Sequence, residues 1–187
     1  MITATSSDKN RVVEILTASF DTNKSVNYIV KQGNERMARI RKLMEYSFDV
    51  CLLSGVVYLS EDRNACVLTL LPDKKKTGLQ TIWWDIRLIC QVTGLSGIRK
   101  TLQREARIKK MYPAIKMNYL WFIGVTPAEQ HRGAGSRLLK EVINSSGRPV
   151  YLETSMPENV NWYQRHGFEV YATLAFEYGE LFMLRTF

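Results

Sequence analysis

The chain has 187 residues, 45% of them hydrophobic and 24% charged, with a formal net charge of +8 at pH 7; this length suits one well-buried domain, and the balance excludes disordered and fibrous classes. Its longest apolar runs, such as Ala65 to Leu71, fall far short of the roughly 20 residues of a membrane-spanning helix, so an integral helical membrane protein is excluded as well. The positive charge is compatible with nucleic acid, an anionic membrane surface or a polyanionic small ligand, and does not by itself choose among them.

Met1 to Asp8 lacks the basic start and apolar core of a secretory leader, so a cytoplasmic location is expected. A short strand over Ile2 to Thr5 precedes a helix capped by Asp8, on which Val12, Val13, Ile15, Leu16 and Phe20 recur at helical spacing until the turn-forming Asp21-Thr22-Asn23. From Glu35 to about Leu53, Met37, Ile40, Leu43, Met44, Phe48 and Leu52 give a second amphipathic helix, ended by Gly55. Val56 to Leu59 and Ala65 to Leu70 flank the turn-rich Glu61-Asp62-Arg63-Asn64, a hairpin with a four-residue loop. The run Lys74-Lys75-Lys76 reads as a solvated loop.

Gly78 to Gly94 and Gly97 to Met111 read as two helices joined at Gly94-Leu95-Ser96-Gly97. The first carries Trp83, Trp84, Ile86, Leu88 and Ile89; Arg99, Lys100, Arg104, Arg107, Lys109 and Lys110 mark the wet face of the second. The unbroken apolar stretch Tyr119 to Val125 predicts a central strand buried on both faces. A glycine turn, a helix from about Gly133 to Asn144, a strand Val150 to Thr154, a short helix near Val160 to His166 and two strands around Val170 and Leu181 follow. The pattern is a mixed α+β sheet. Cys51, Cys66 and Cys90 sit singly among apolar neighbours and read as buried thiols, and neither His131 nor His166 has a partner at ligand spacing, so no metal is expected.

The segment Val125-Thr126-Pro127-Ala128-Glu129-Gln130-His131-Arg132-Gly133-Ala134-Gly135-Ser136 runs a central strand through a glycine turn into a helix. A helix start offers unpaired N–H groups and a partial positive charge, the makings of a diphosphate site, and glycines allow the backbone to approach closely. No Lys-Ser or Lys-Thr follows, as a P-loop requires, and Leu138 stands where a dinucleotide fold wants its third glycine.

This segment resembles the acyl-CoA-binding signature of the GNAT superfamily, Gln/Arg-x-x-Gly-x-Gly/Ala, at Gln130, Gly133 and Gly135. A second segment, Tyr151-Leu152-Glu153-Thr154-Ser155 followed by Asn159, Tyr163 and Gly167-Phe168, resembles the downstream part of the same family. The two cover about residues 118 to 176.

The resemblance implies one domain over residues 1–187, with residues 1–115 building the acceptor side and 118–176 holding the acyl-CoA motifs. Its sheet would be mixed and mostly antiparallel, flanked by helices and splayed at the central strand near Gly124 and Val125. Acetyl-CoA would lie along Ile123, Gly124 and Val125, its diphosphate on Gln130, His131, Arg132, Gly133, Ala134, Gly135 and Ser136, and its arm against Asn159. A backbone N–H near Val125 would face the thioester oxygen, and Tyr163 would protonate the departing thiolate.

The implied reaction is transfer of an acetyl group to an amine of a small molecule or peptide, without membrane attachment. No base stands out in the sequence; Glu153 is the nearest carboxylate in the motif, with Glu177 and Asp85 as weaker alternatives. Trp83, Trp84, Tyr28 and Tyr46 could line an acceptor pocket but read more readily as core, and the helical insert from Gly78 to Met111 could cover the site. Two other readings stay open: an acyl-CoA sensor without turnover, and a basic nucleic-acid-binding protein, for which charge is the only support.

Overall fold

A computed structural model of the chain describes residues 1–75, 78–94 and 97–186. Lys76 of the lysine run, and Leu95 and Ser96 of the expected interhelical turn, lie outside the described residues. Seven strands form one sheet: β1 (Ile2–Thr3), β2 (Gly55–Leu59), β3 (Ala65–Leu70), β4 (Asn118–Val125), β5 (Val150–Thr154), β6 (Glu169–Phe176) and β7 (Gly179–Arg185), in the order β1-β2-β3-β4-β5-β7-β6. Only β4 and β5 pair in parallel. The described residues form seven α-helices: α1 (Lys9–Ser19), α2 (Lys24–Ile29), α3 (Arg36–Ser54), α4 (Leu79–Leu88), α5 (Ile98–Lys109), α6 (Ala134–Ser145) and α7 (Pro157–Gln164). None of the described helices is long and apolar enough to cross a membrane.

The two faces of the sheet carry separate cores. On one, Val12, Ile15 and Leu16 of α1 and Ile40, Met44 and Phe48 of α3 bury Leu68 and Phe122 of the central strands. On the other, Leu138, Leu139 and Val142 of α6 and Tyr163 of α7 pack on Val67, Leu120 and Leu152. Each fully buried side chain of this size is worth about 1.5–3 kcal/mol, so helical spacing in the sequence translates directly into the clamp that holds β4 in the middle of the molecule.

Gly55 ends α3 and opens β2 in one step. A Cβ built there would stand 1.9 Å from the Thr69 carbonyl oxygen across the β2–β3 ladder. Gly55→Ala is therefore expected to destabilise the fold by about 1–3 kcal/mol or more, read as a shift of the denaturant midpoint.

Several local expectations need correction. Asp8 precedes α1 but makes no side-chain cap on it; its carboxylate accepts the Thr5 N–H at 2.8 Å and closes a capping box on the turn Ser6–Asp8. Asp21-Thr22-Asn23 is more than a stop: Asn23 Oδ1 accepts from Val26 N at 3.0 Å and starts α2. The hairpin loop has five residues rather than four, because Ser60 closes it through its N–H to the Ala65 carbonyl. The α4 helix lies outside the sheet, against α3; Leu79, Ile82, Trp83 and Ile86 are exposed, and so is Cys90, which was expected to be buried.

Candidate functional site

The site is built where β4 and β5 part. The two strands pair only through Asn118 with Val150 and Tyr119 with Tyr151. Beyond that, β4 stays with β3 to Val125 while β5 turns to β7, matched as far as Thr154 with Phe182. The gap thus opens at Leu120, earlier than Gly124 and Val125 where the sequence resemblance put it.

Backbone alternation decides which groups face the gap. Thr126 donates its N–H to the Asn64 carbonyl, beside the non-hydrogen-bonded pair Ala65–Val125. The N–H and C=O of Val125, and by the same two-residue period those of Ile123, therefore point away from β3 toward β5. The Val125 carbonyl accepts from Ser19 Oγ at 2.8 Å and from Gln130 Nε2 at 3.3 Å.

Gly124 plays a different part from the one expected. Its backbone faces β3, so it cannot line the gap through hydrogen bonds; its missing side chain lets α1 close in, since a Cβ would lie 3.0 Å from Leu16 Cδ2 and from Ser19 Oγ.

At the end of β4, Pro127–Glu129 forms a single turn, and His131 (φ 63°) and Gly133 (φ 83°) adopt left-handed conformations that swing the chain into α6. Gly133 suits that conformation; His131 adopts it as a non-glycine residue. Among the described residues no side chain caps α6, which leaves the N–H groups of Ala134, Gly135 and Ser136 in its first turn open to a ligand. A Cβ on Gly135 would come within 3.2 Å of Val125 Cγ2 and 3.8 Å of Trp162 Cζ2, so β4, α6 and α7 meet closely at this glycine. Trp162 Nε1 donates to Ser136 Oγ at 3.0 Å, a strut between α7 and the glycine turn that the sequence reading missed. Arg132 is exposed and pairs with Glu129 at 3.0 Å, which offsets its charge. Asn159 is exposed in the first turn of α7 and makes no cap there.

Tyr163 faces the same core as Ile123 and Val125. It is 6% exposed, with its ring 4.8 Å from that of Trp162 and 5.5 Å from that of Phe168. Burial alone pushes its phenol well above the usual tyrosine range, so it stays protonated throughout the working pH range of a protein.

Glu153 lies on β5, largely buried. Its Oε1 accepts from Arg104 Nη2 at 3.2 Å, while Oε2 is buried without a hydrogen-bond partner among the described residues. Burial raises its pKa to about 7; Arg104 pulls it down and Glu105 pushes it up. The alternatives are exposed and already engaged: Glu177 pairs with Lys100 at 2.5 Å, and Asp85 accepts from the Tyr46 hydroxyl at 2.5 Å.

Arg104, expected on the wet face of its helix, is instead 6% exposed. It donates to Glu105 (2.6 Å), Ser25 Oγ (2.6 Å) and the Tyr178 hydroxyl (3.1 Å) as well as to Glu153, tying α5, α2, β5 and the β6–β7 turn together. The signal was available in the sequence: Arg104 stands four residues before Ile108, the buried apolar anchor of the same helix.

Residues 91–170 match the family model of the acetyltransferase (GNAT) domain. Among solved structures, the histone acetyltransferase HPA2 and related acetyltransferase from Corynebacterium glutamicum is 19% identical over 99% of this chain and 94% of that one, with a TM-score of 0.73. Arylalkylamine N-acetyltransferase 2 from Aedes aegypti is 16% identical over 99% and 96%, with a TM-score of 0.61. The C-terminal condensation domain of Ebony, in complex with beta-alanyl-dopamine, is 10% identical over 99% and 96%, with a TM-score of 0.71. At these identities the likeness to solved structures is one of fold. It agrees with the parted central strands, the glycine turn and the matched segment: the chain has the acetyltransferase fold of the GNAT superfamily.

Proposed function

We propose that this protein transfers an acetyl group from acetyl-CoA to the amine of an acceptor. The observation that carries the reading is the gap between β4 and β5, bordered by the outward-facing backbone of Val125 and close to the uncapped start of α6, with the buried, protonated Tyr163 in the same core as Val125. The residues fit acetyl-CoA: the positive φ of Gly133 turns the chain into α6, the bare Cα of Gly135 lets the start of that helix close on Val125 and Trp162, and the open N–H groups of Ala134, Gly135 and Ser136 suit a diphosphate. Acetyl-CoA supplies an activated thioester.

The chain's own groups divide the remaining work. The Val125 N–H is a donor for the oxygen on which charge develops, a type of contact worth about 3 kcal/mol. Tyr163 holds a proton for the sulfur that departs. An acceptor amine with a pKa of about 10 is only about 0.1% neutral at pH 7, and Glu153 takes up its proton.

The test is a calorimetric titration with acetyl-CoA. Binding is expected in the parent protein, weakened more than about tenfold, or over 1.4 kcal/mol, by Gly135→Glu, which pushes the start of α6 off Val125 and Trp162 and brings a carboxylate beside the diphosphate site. A parent protein that does not bind acetyl-CoA would sink the reading. Binding without release of CoA across a broad amine panel would leave a sensor in place of an enzyme.

A further inference from the structure

A cleft of about 370 Å³ opens on the outer side of Arg104, between α2, α5 and the β6–β7 turn; Tyr28, Lys100, Arg104, Arg107, Phe176 and Glu177 are among the residues that line it. Three of these carry positive charge and one carries negative. Lys100 answers Glu177, and Arg104 is committed inward to Glu153 and Glu105. Arg107 has no carboxylate partner among the described residues. Its guanidinium rests 4.5 Å above the Phe176 ring, and that ring is stacked in turn on Tyr178 at 5.4 Å. A guanidinium placed over an aromatic face still carries N–H donors that a planar or tetrahedral anion can engage. Lys100 Nζ stands 5.0 Å over the Tyr28 ring on the same cleft.

We propose that the acceptor is an amine that also bears an anionic group, a carboxylate or a phosphate, and that this group is seated in the cleft on Arg107, beside the Lys100–Glu177 ion pair. The inference rests on the acetyl-transfer reading given above and names the acceptor class for it. Arg104 is the link, because the same side chain that walls the cleft bonds Glu153 on β5. Arg104 stands between the cleft and Glu153, so an acceptor anchored by its anion at Arg107 has to pass that side chain to bring its amine to the carboxylate. A simple cationic amine, by contrast, brings nothing for the Arg107 guanidinium, the cation of the cleft without a carboxylate partner among the described residues. The acetyl-CoA cradle is lined by other elements, β4, α6 and α7, so the positive charge of the cleft is not needed to explain diphosphate binding.

The experiment uses three matched series of equal chain length, ω-amino carboxylates, aminoalkyl phosphates and plain alkylamines, titrated into the protein saturated with CoA. Anion-bearing members are expected to bind at least about tenfold tighter than their plain counterparts. Arg107→Glu, an exposed substitution, is expected to abolish that preference while leaving acetyl-CoA affinity unchanged. The carboxylate and phosphate series show which anion is meant. Equal binding of plain amines, no binding in any series, or a preference that survives Arg107→Glu would overturn the assignment. Release of CoA from acetyl-CoA, followed with the same compounds, separates the two readings. An anion preference without CoA release refutes acetyl transfer and leaves the cleft as an anion site. CoA release with plain amines as efficient as with anionic ones refutes the acceptor class and leaves acetyl transfer standing.

Discussion

Tyr163→Phe is expected to lower kcat by roughly 100-fold or more, within the range that general acids contribute, while the KM for acetyl-CoA and the unfolding midpoint change little. The substitution keeps the ring that packs between Trp162 and Phe168 and removes only the hydroxyl. Among the described residues that hydroxyl has no hydrogen-bond partner, and its raised pKa comes from burial alone. The phenol is thus a proton reservoir kept full by its surroundings, and a loss in turnover without a loss in binding or stability would single out proton delivery. Steady-state kinetics beside thermal unfolding make the comparison. If kcat stays within a few-fold of the parent, Tyr163 is a core tyrosine and the thiolate leaves without its help.

The elements that place this phenol were legible in the sequence because each obeys one strong local rule. The apolar run of β4, the glycines at positions 133 and 135 and the spacing of Leu138, Leu139 and Val142 on α6 all act over a few neighbouring residues, and all stand where the pattern put them. What was not legible depends on contacts between distant segments. Arg104 looks like any basic residue on a polar helix until Ser25, Glu153 and Tyr178 are brought around it by three other elements. Gly124 sits inside the motif, yet its role is set by the approach of Leu16 and Ser19 from α1. The six residues of α2 bury only Val26, too little for periodicity to register, and the apolar residues of α4 misled because helical spacing does not reveal whether a helix has found a partner. Site residues defined by backbone conformation could be read from the sequence. Those defined by charge pairing across the fold could not.

Glu153 offers the sharpest pH signature. Its carboxyl titrates near 7 in the folded chain against an ordinary value of 4.5, because burial outweighs the pull of Arg104. As a base it works only when ionised, so kcat/KM is expected to rise with pH through about 7 and to level off above it. Glu153→Gln should lower the plateau by roughly 100-fold or more and remove the limb centred near 7. Stability runs the other way. A folded pKa raised above the unfolded one means that the protonated form favours folding, so this stabilising contribution is complete below 4.5 and is lost as pH rises through about 7. Glu153→Gln, always neutral, should therefore flatten the fall in stability between those two values. Arg104 keeps Glu105 at 2.6 Å as a counter-ion, so the variant does not strand a buried charge. A variant that keeps both the parent's kinetic limb near 7 and its stability slope would remove Glu153 from the reaction and pass the role of base to ordered water, with Arg104 and Glu153 left as a buried structural pair. A variant that loses the kinetic limb while still binding acetyl-CoA would fix the direction of attack, from the α5 and α2 face of the sheet, opposite the face on which α6 and α7 stand.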